Sequence, residues 1–243
     1  MILALLLVAV GLALYVAVCA FVAHRFTTAR RVAPVDCAVA ATPSAAVTLP
    51  SRGRPVTLHG WYLPAAPGGA AVVFVHGKDG CRGRELRAPT FELARAHLAA
   101  GISVLMIDLR GHGASTSARM TYGAEEKLDV LGAVDWLRAQ GHGRIGVLGA
   151  SMGAASALLA AADDSVIEAL VADSAFAHFG TMIERQFRHL SGLPSFFVPG
   201  ALVLGWCLTG QRLADVSPLA AAASLIGRPL LVVHSQGDRF VSV

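Results

Sequence analysis

Gly149-Ala150-Ser151-Met152-Gly153 is the stretch whose reading decides the fold. It spells G-x-S-x-G, and its setting gives those letters meaning. Arg144-Ile145-Gly146-Val147-Leu148 before it is short, apolar and β-prone, whereas Ala154 to Ala160 after it is small and helix-prone. A serine between a strand and a helix sits on a sharp bend with its hydroxyl exposed. Gly149 and Gly153 suit that bend because a Cβ would clash where the turn is tight. The helix that follows aims its partly positive N-terminus and free N–H groups at the serine, which favours an oxyanion there. Ser151 is therefore a candidate nucleophile, against the plainer reading of a turn serine.

Outward from this stretch the chain alternates. Short apolar strands are expected near Ala46–Leu49, Pro55–Leu63, Ala71–Val75, Ile102–Ile107, Val166–Ala172 and Pro229–His234. Helices are expected over Thr90–Ala100 and Glu125–Gln140, stopped by Gly101 and Gly141. In the second helix Leu128, Leu131, Val134 and Leu137 fall near one face. All-apolar strands alternating with amphipathic helices imply an α/β architecture, a mostly parallel sheet with helices on both faces. Residues 176–227 break the rhythm and read as a small helical cap. Within them Phe196, Phe197, Val198, Leu202 and Trp206 suit an acyl pocket, a membrane contact or plain packing against the sheet.

The chain of 243 residues is 55% hydrophobic and 15% charged, with a net charge of +4. Much of the apolar excess lies in Met1 to Ala23, which carries no charge and is long enough to span a bilayer. No Lys or Arg precedes the run, and it is long for a secretory signal, so a retained anchor is the preferred reading over a cleaved one. Arg25, Arg30 and Arg31 follow at once, suiting anionic headgroups and placing the main domain on the cytoplasmic side. No basic patch interleaved with aromatics suggests nucleic acid. Cys19, Cys37, Cys81 and Cys207 are scattered, which indicates neither a disulfide framework nor a zinc site.

In open α/β sheets the chemistry gathers at the carboxyl ends of the strands. There the sequence places His76-Gly77-Lys78-Asp79-Gly80, Asp108-Leu109-Arg110-Gly111-His112-Gly113, Asp173-Ser174 and Ser235-Gln236-Gly237-Asp238. Asp108 to Gly113 ahead of G-x-S-M-G resembles the α/β-hydrolase superfamily. The likeness is greatest to membrane-anchored serine hydrolases near the Bem46-like and serine aminopeptidase-like groups, over roughly Val47 to Val241. The resemblance implies Ser151 as nucleophile, the backbone amides of Lys78 and Met152 as oxyanion hole and Asp238 as the acid of the triad. By composition and pattern the chain divides into an N-terminal transmembrane helix over residues 1–24, a linker over 25–45 and a hydrolase domain over 46–243. Cleavage of an acyl ester or thioester through an acyl-serine is expected, since the anchor and the apolar cap would place the site near lipid, with no cofactor and no metal. The substrate would be a small or lipid-like acyl compound. A peptidase or an inactive scaffold on the same fold is the alternative.

The superfamily's catalytic histidine lies beyond the acid, after one more strand, and this chain stops five residues past Asp238. The chain is therefore expected to be a C-terminally truncated hydrolase, lacking the last strand, the final helix and the catalytic histidine. His76 and His112 are expected to shape loops rather than act as bases, and His234 to be a packed strand residue. Asp173 is an alternative acid, against a capping role before Ser174. Gly141 to Gly146 matches G-x-G-x-x-G but precedes a strand, so it lacks the dinucleotide-binding context.

Overall fold

A computed structural model describes residues 1–33, 44–65, 67–84, 90–238 and 241. The elements in chain order are α1 (Ile2–Thr27), β1 (Ala45–Pro50), β2 (Thr57–Leu63), β3 (Ala71–Val75), α2 (Thr90–Ala99), β4 (Ser103–Ile107), α3 (Glu126–Ala139) and β5 (Ile145–Ala150). They continue with α4 (Met152–Asp163), β6 (Ile167–Asp173), α5 (Phe179–Ser191), α6 (Val198–Thr209), α7 (Pro218–Ala223) and β7 (Leu230–Val233). The strands form one sheet in the order β1-β2-β4-β3-β5-β6-β7. Strand β2 runs antiparallel to both its neighbours, β1 and β4, and every other pair is parallel.

The central strands show why their sequences carry no polar alternation. All five residues of β3 and all five of β4 are buried, because helices cover both faces. Alternate side chains still divide between the two sides. Ala71, Val73, Val75, Leu105 and Ile107 join the core beneath α3 and α4. Val72, Phe74, Val104 and Met106 join a smaller core with Trp61 and with Phe91 and Ala94 of α2. On the first side α3 lies close to β1: a Cβ at Gly132 would stand 2.2 Å from the Pro50 carbonyl oxygen. At the other margin β7 pairs with β6 alone among the described strands, and Leu231, Val232 and Val233 are exposed.

The motif after β4 is a structural brace. Arg110 is buried with its guanidinium across Asp129 of α3 (2.7 Å), and it also reaches Glu125 (3.0 Å) and the Ser51 hydroxyl (3.0 Å). Asp108, fully buried, accepts from the Arg82 amide (2.8 Å), the Arg82 guanidinium and the Ala114 amide (2.9 Å). Gly113, at φ +47°, is excluded from bearing a side chain because a Cβ would fall on the Asp108 carboxylate.

Two expected features differ in detail. The N-terminal helix runs on to Thr27, past residue 24, because its last turn is held by the domain. The Met120 amide donates to the Thr27 carbonyl (2.8 Å), and Arg119 reaches the Thr28 hydroxyl (2.9 Å). The start of the expected linker lies on the domain as well, its Arg30 amide donating to Asp79 (2.7 Å). Residues 34–43 of that linker, Cys37 among them, lie outside the described residues.

A charge as buried as Arg110 is tolerable only while its partner remains, since an unpaired guanidinium has lost its water. Asp129→Ala is expected to lower unfolding stability by about 3–5 kcal/mol in a urea titration. The Asp129→Asn variant, which keeps the acceptor oxygen, should lose less.

Candidate active site

Ser151 links β5 to α4 with φ +52° and ψ −116°, a conformation that L-residues adopt only when the surroundings enforce it. Three contacts enforce it. The Ser151 amide donates to the Asp173 carbonyl at the end of β6 (2.7 Å). A Cβ at Gly149 would lie 2.5 Å from the Gly153 carbonyl carbon. A Cβ at Gly153 would lie 2.3 Å from the Val75 carbonyl oxygen. Both glycines are thus required by close backbone approach, as their spacing in the sequence implies. The elbow presses the first turn of α4 against the end of β3 and leaves the serine half-buried at the carboxyl edge of the sheet.

The loop that leaves β3 runs past this edge. Lys78 and Met152 border the same cavity as Ser151. Met152 is the first residue of α4, so its amide has no acceptor within the helix. Among the described residues no backbone carbonyl accepts from the Lys78 amide. Of the two amides expected at the oxyanion site, that of Met152 adjoins the serine and that of Lys78 belongs to a residue of the same cavity wall, and neither has a backbone acceptor among the described residues.

His76 and His112 hold this loop. The Leu109 amide donates to His76 Nε2 (3.0 Å) and the Asp79 amide to His112 Nε2 (3.2 Å). Each Nε2 is thereby an acceptor, which fixes the proton on Nδ1. From there His76 donates to the Gly77 carbonyl (2.7 Å) and His112 to the Arg110 carbonyl (2.9 Å). Burial pushes the His76 imidazole down to about 4 and lowers that of His112 as well. Both rings are neutral braces with no lone pair left to take a proton from Ser151.

Asp238 follows β7, as expected. Its carboxylate accepts from the Val241 amide (3.0 Å) and stands 3.6 Å from His234 Nε2. His234 lies one residue past the end of β7 rather than within it, and its Nε2 is 2.9 Å from the Val241 carbonyl. Asp173 is engaged locally, its carboxylate accepting from the Ser174 hydroxyl (2.9 Å). Tyr62 and Gly69 hold His142 of the G-x-G-x-x-G match (2.8 Å each).

The cavity at Ser151 has a volume of about 690 Å³. Its apolar wall does not come from the aromatic run Phe196 to Trp206. It comes from Phe176 just before α5, from Phe179 and Ile183 on it, from Tyr122 on the loop before α3, and from Phe21, Val22 and Phe26 of α1. Tyr122 is tied to the helix by a hydroxyl bond to the Phe26 carbonyl (2.8 Å), and burial raises its phenol. No sequence signal near Ser151 announces that the N-terminal helix borders the site. Arg25, the first charge after the apolar run, lines it too.

Residues 72–214 match the alpha/beta hydrolase family. The chain belongs to that family. The uncharacterized protein YqkD of Bacillus subtilis is 35% identical over 148 residues, covering 59% of this chain and 48% of that protein. An uncharacterized protein of Mycobacterium tuberculosis is 30% identical over 215 residues, covering 82% and 66%. The chain thus spans about half to two thirds of the length of these relatives. Among solved structures, an esterase of Pyrococcus furiosus superposes with a TM-score of 0.70 at 25% identity, covering 90% of this chain and 80% of the esterase. The acylaminoacyl peptidase of Pyrococcus horikoshii superposes with a TM-score of 0.59 at 21% identity over 82% of this chain and 32% of that enzyme, a likeness of fold alone.

In this alpha/beta hydrolase the two neutral histidines give a pH signature. Their folded pKa values lie below the unfolded value near 6.5, so the unfolded chain binds more protons as pH falls. The stability they contribute is complete above about 6.5 and is lost towards 4 for His76. The urea midpoint is expected to fall between pH 7 and pH 4.5, and His76→Gln, which cannot protonate, should flatten that slope.

Proposed function

We propose that this chain is the hydrolase part of a membrane-anchored serine hydrolase that cleaves a carboxylic ester or thioester of an apolar acyl group. One observation carries the reading. A serine held at positive φ lines a largely apolar cavity together with Met152 and Lys78, whose amides have no backbone acceptor among the described residues. Membership of the family and the likeness to an esterase support hydrolysis in general. The uncharged run of α1 supports a retained anchor, with Arg25, Arg30 and Arg31 on the cytoplasmic side.

In this reading the Ser151 hydroxyl oxygen attacks the acyl carbonyl carbon while its proton passes to a general base. The carbonyl oxygen gains negative charge and accepts from the Lys78 and Met152 amides. Collapse expels the alcohol or thiol, which takes up the proton, and leaves an acyl-serine that water hydrolyses by the same steps. Asp238 orients the base. A serine hydroxyl is a weak nucleophile without such a base. His76 and His112 are committed to backbone amides, so neither is that base. The engagement of both histidines also favours one second reading, a binding protein on this fold without turnover.

Labelling with a fluorophosphonate separates the two. Ser151→Ala is expected to abolish labelling in a protein carried beyond residue 243 along its reading frame. Persistent labelling of a folded Ser151→Ala protein would place the nucleophile elsewhere.

A further inference from the structure

The helix α1 does not stand apart from the domain. Its C-terminal half packs along α6, and the register of that packing fixes a depth. Tyr15 stacks on Phe197 (ring centroids 5.3 Å apart), touches Phe196 (4.9 Å), and donates its hydroxyl to the Phe196 carbonyl (3.3 Å). Gly200 is where the helices close, since a Cβ there would stand 2.5 Å from the Cys19 sulfur. Further along, Val198, Ala201 and Gly205 of α6 border a small void with Ala23, Phe26 and Thr27 of α1. The two helices therefore run side by side in the same direction, with residues 196–197 level with Tyr15 and the end of α6 level with the end of α1.

Tyr15 lies ten residues N-terminal to Arg25, the first full charge on α1, which is about 15 Å of helix rise. If the uncharged part of α1 fills a hydrocarbon layer about 30 Å thick, residues 196–197 are well inside that layer. The sequence of this segment suits that depth. No Asp, Glu, Lys or Arg occurs from residue 189 to residue 211, between Arg188 and Arg212. Val198, Ala201 and Gly205 face inward, while Phe196 is 69% exposed and Val203 and Trp206 are exposed on the other side. Trp206, with the Arg212 guanidinium 5.3 Å from its ring, stands at the end of α6 level with the charges of α1. There an amphipathic ring sits at a headgroup boundary.

The cavity at Ser151 reaches the same boundary. Phe21, Val22 and Arg25 of α1 line it on one side, and Leu190 and Leu193, at the end of α5 and just past it, on the other. We propose that residues 190–208 are a re-entrant membrane element inserted beside α1, and that the cavity opens between α1 and the end of α5 at the bilayer surface. The substrate class is then an acyl ester resident in the bilayer, whose chain reaches Ser151 from the hydrocarbon. Insertion rests on α1 being a membrane anchor, and the substrate class rests on the acyl-serine reading above.

The test uses the full chain, extended along its reading frame, in phosphatidylcholine vesicles. The tip is probed by Phe196→Trp in a Trp206→Phe background, with the Trp206→Phe protein as blank. The added fluorescence is expected to be quenched by phospholipids brominated along their acyl chains and shielded from iodide. Quenching by iodide and not by bromolipid, with the protein still resisting alkaline carbonate extraction, would overturn the insertion and leave the anchor standing. Release by carbonate would overturn both. For substrate class, Phe196→Glu is expected to slow labelling of Ser151 by a long-alkyl fluorophosphonate dissolved in the vesicles about tenfold, since a carboxylate is costly at that depth. Labelling by a short water-soluble fluorophosphonate should not change. Equal slowing of both probes, or of neither, would overturn lateral access. Failure of both probes on the unsubstituted protein would remove the acyl-serine reading and the substrate class with it, while the fluorescence still decides insertion.

Discussion

The backbone approach between α4 and the end of β3 constrains everything at the carboxyl edge of the sheet. Helix α4 starts so close under Val75 and His76 that position 153 has no room for a side chain. The chain can meet that start only by turning at Ser151 through a left-handed conformation, held by the bond to the Asp173 carbonyl. The strain so stored sets the serine hydroxyl forward at the cavity and brings the first amide of α4 beside the loop that leaves β3. The placement of Ser151, of the first amide of α4 and of the cavity wall beside them thus follows from one packing contact between a helix and a strand end.

The polar residues around this contact are there to keep it rigid. His76 and His112 accept backbone amides from neighbouring loops, and Asp108 gathers two amides and a guanidinium in a buried site. Arg110 ties the same turn to α3. Each is a buried polar group whose hydrogen bonds are met by fixed partners, and such networks specify one geometry because a half-satisfied one is costly. They explain why a motif rich in titratable residues lies near a candidate nucleophile without supplying its base.

The N-terminal helix has a second role that its composition conceals. An apolar run of this length is legible as a membrane span and nothing more. In the fold its last turns are held by Met120, Arg119 and Tyr122, and Phe21, Val22 and Phe26 become a wall of the cavity. The apolar helix and the pocket share side chains, so the position of the serine relative to that helix is set by packing rather than by the length of a tether.

The alternation of apolar strands and amphipathic helices was readable because burial on both faces of a parallel sheet demands it. The observed strands agree with the expected ones to within one or two residues. The elbow was readable because two glycines and a serine between a strand and a helix have few other uses. What the sequence could not convey are contacts between residues far apart in the chain. The tautomers of His76 and His112 depend on amides contributed by Leu109 and Asp79. The aromatic run Phe196 to Trp206, open to several readings, is kept out of the cavity because α6 turns its small residues against α1 and its large ones outward. Local composition determines which elements form and which residues are apolar. Only tertiary packing determines which face of each meets which neighbour, because that choice is made by shape and by hydrogen-bond partners that no local window of sequence contains.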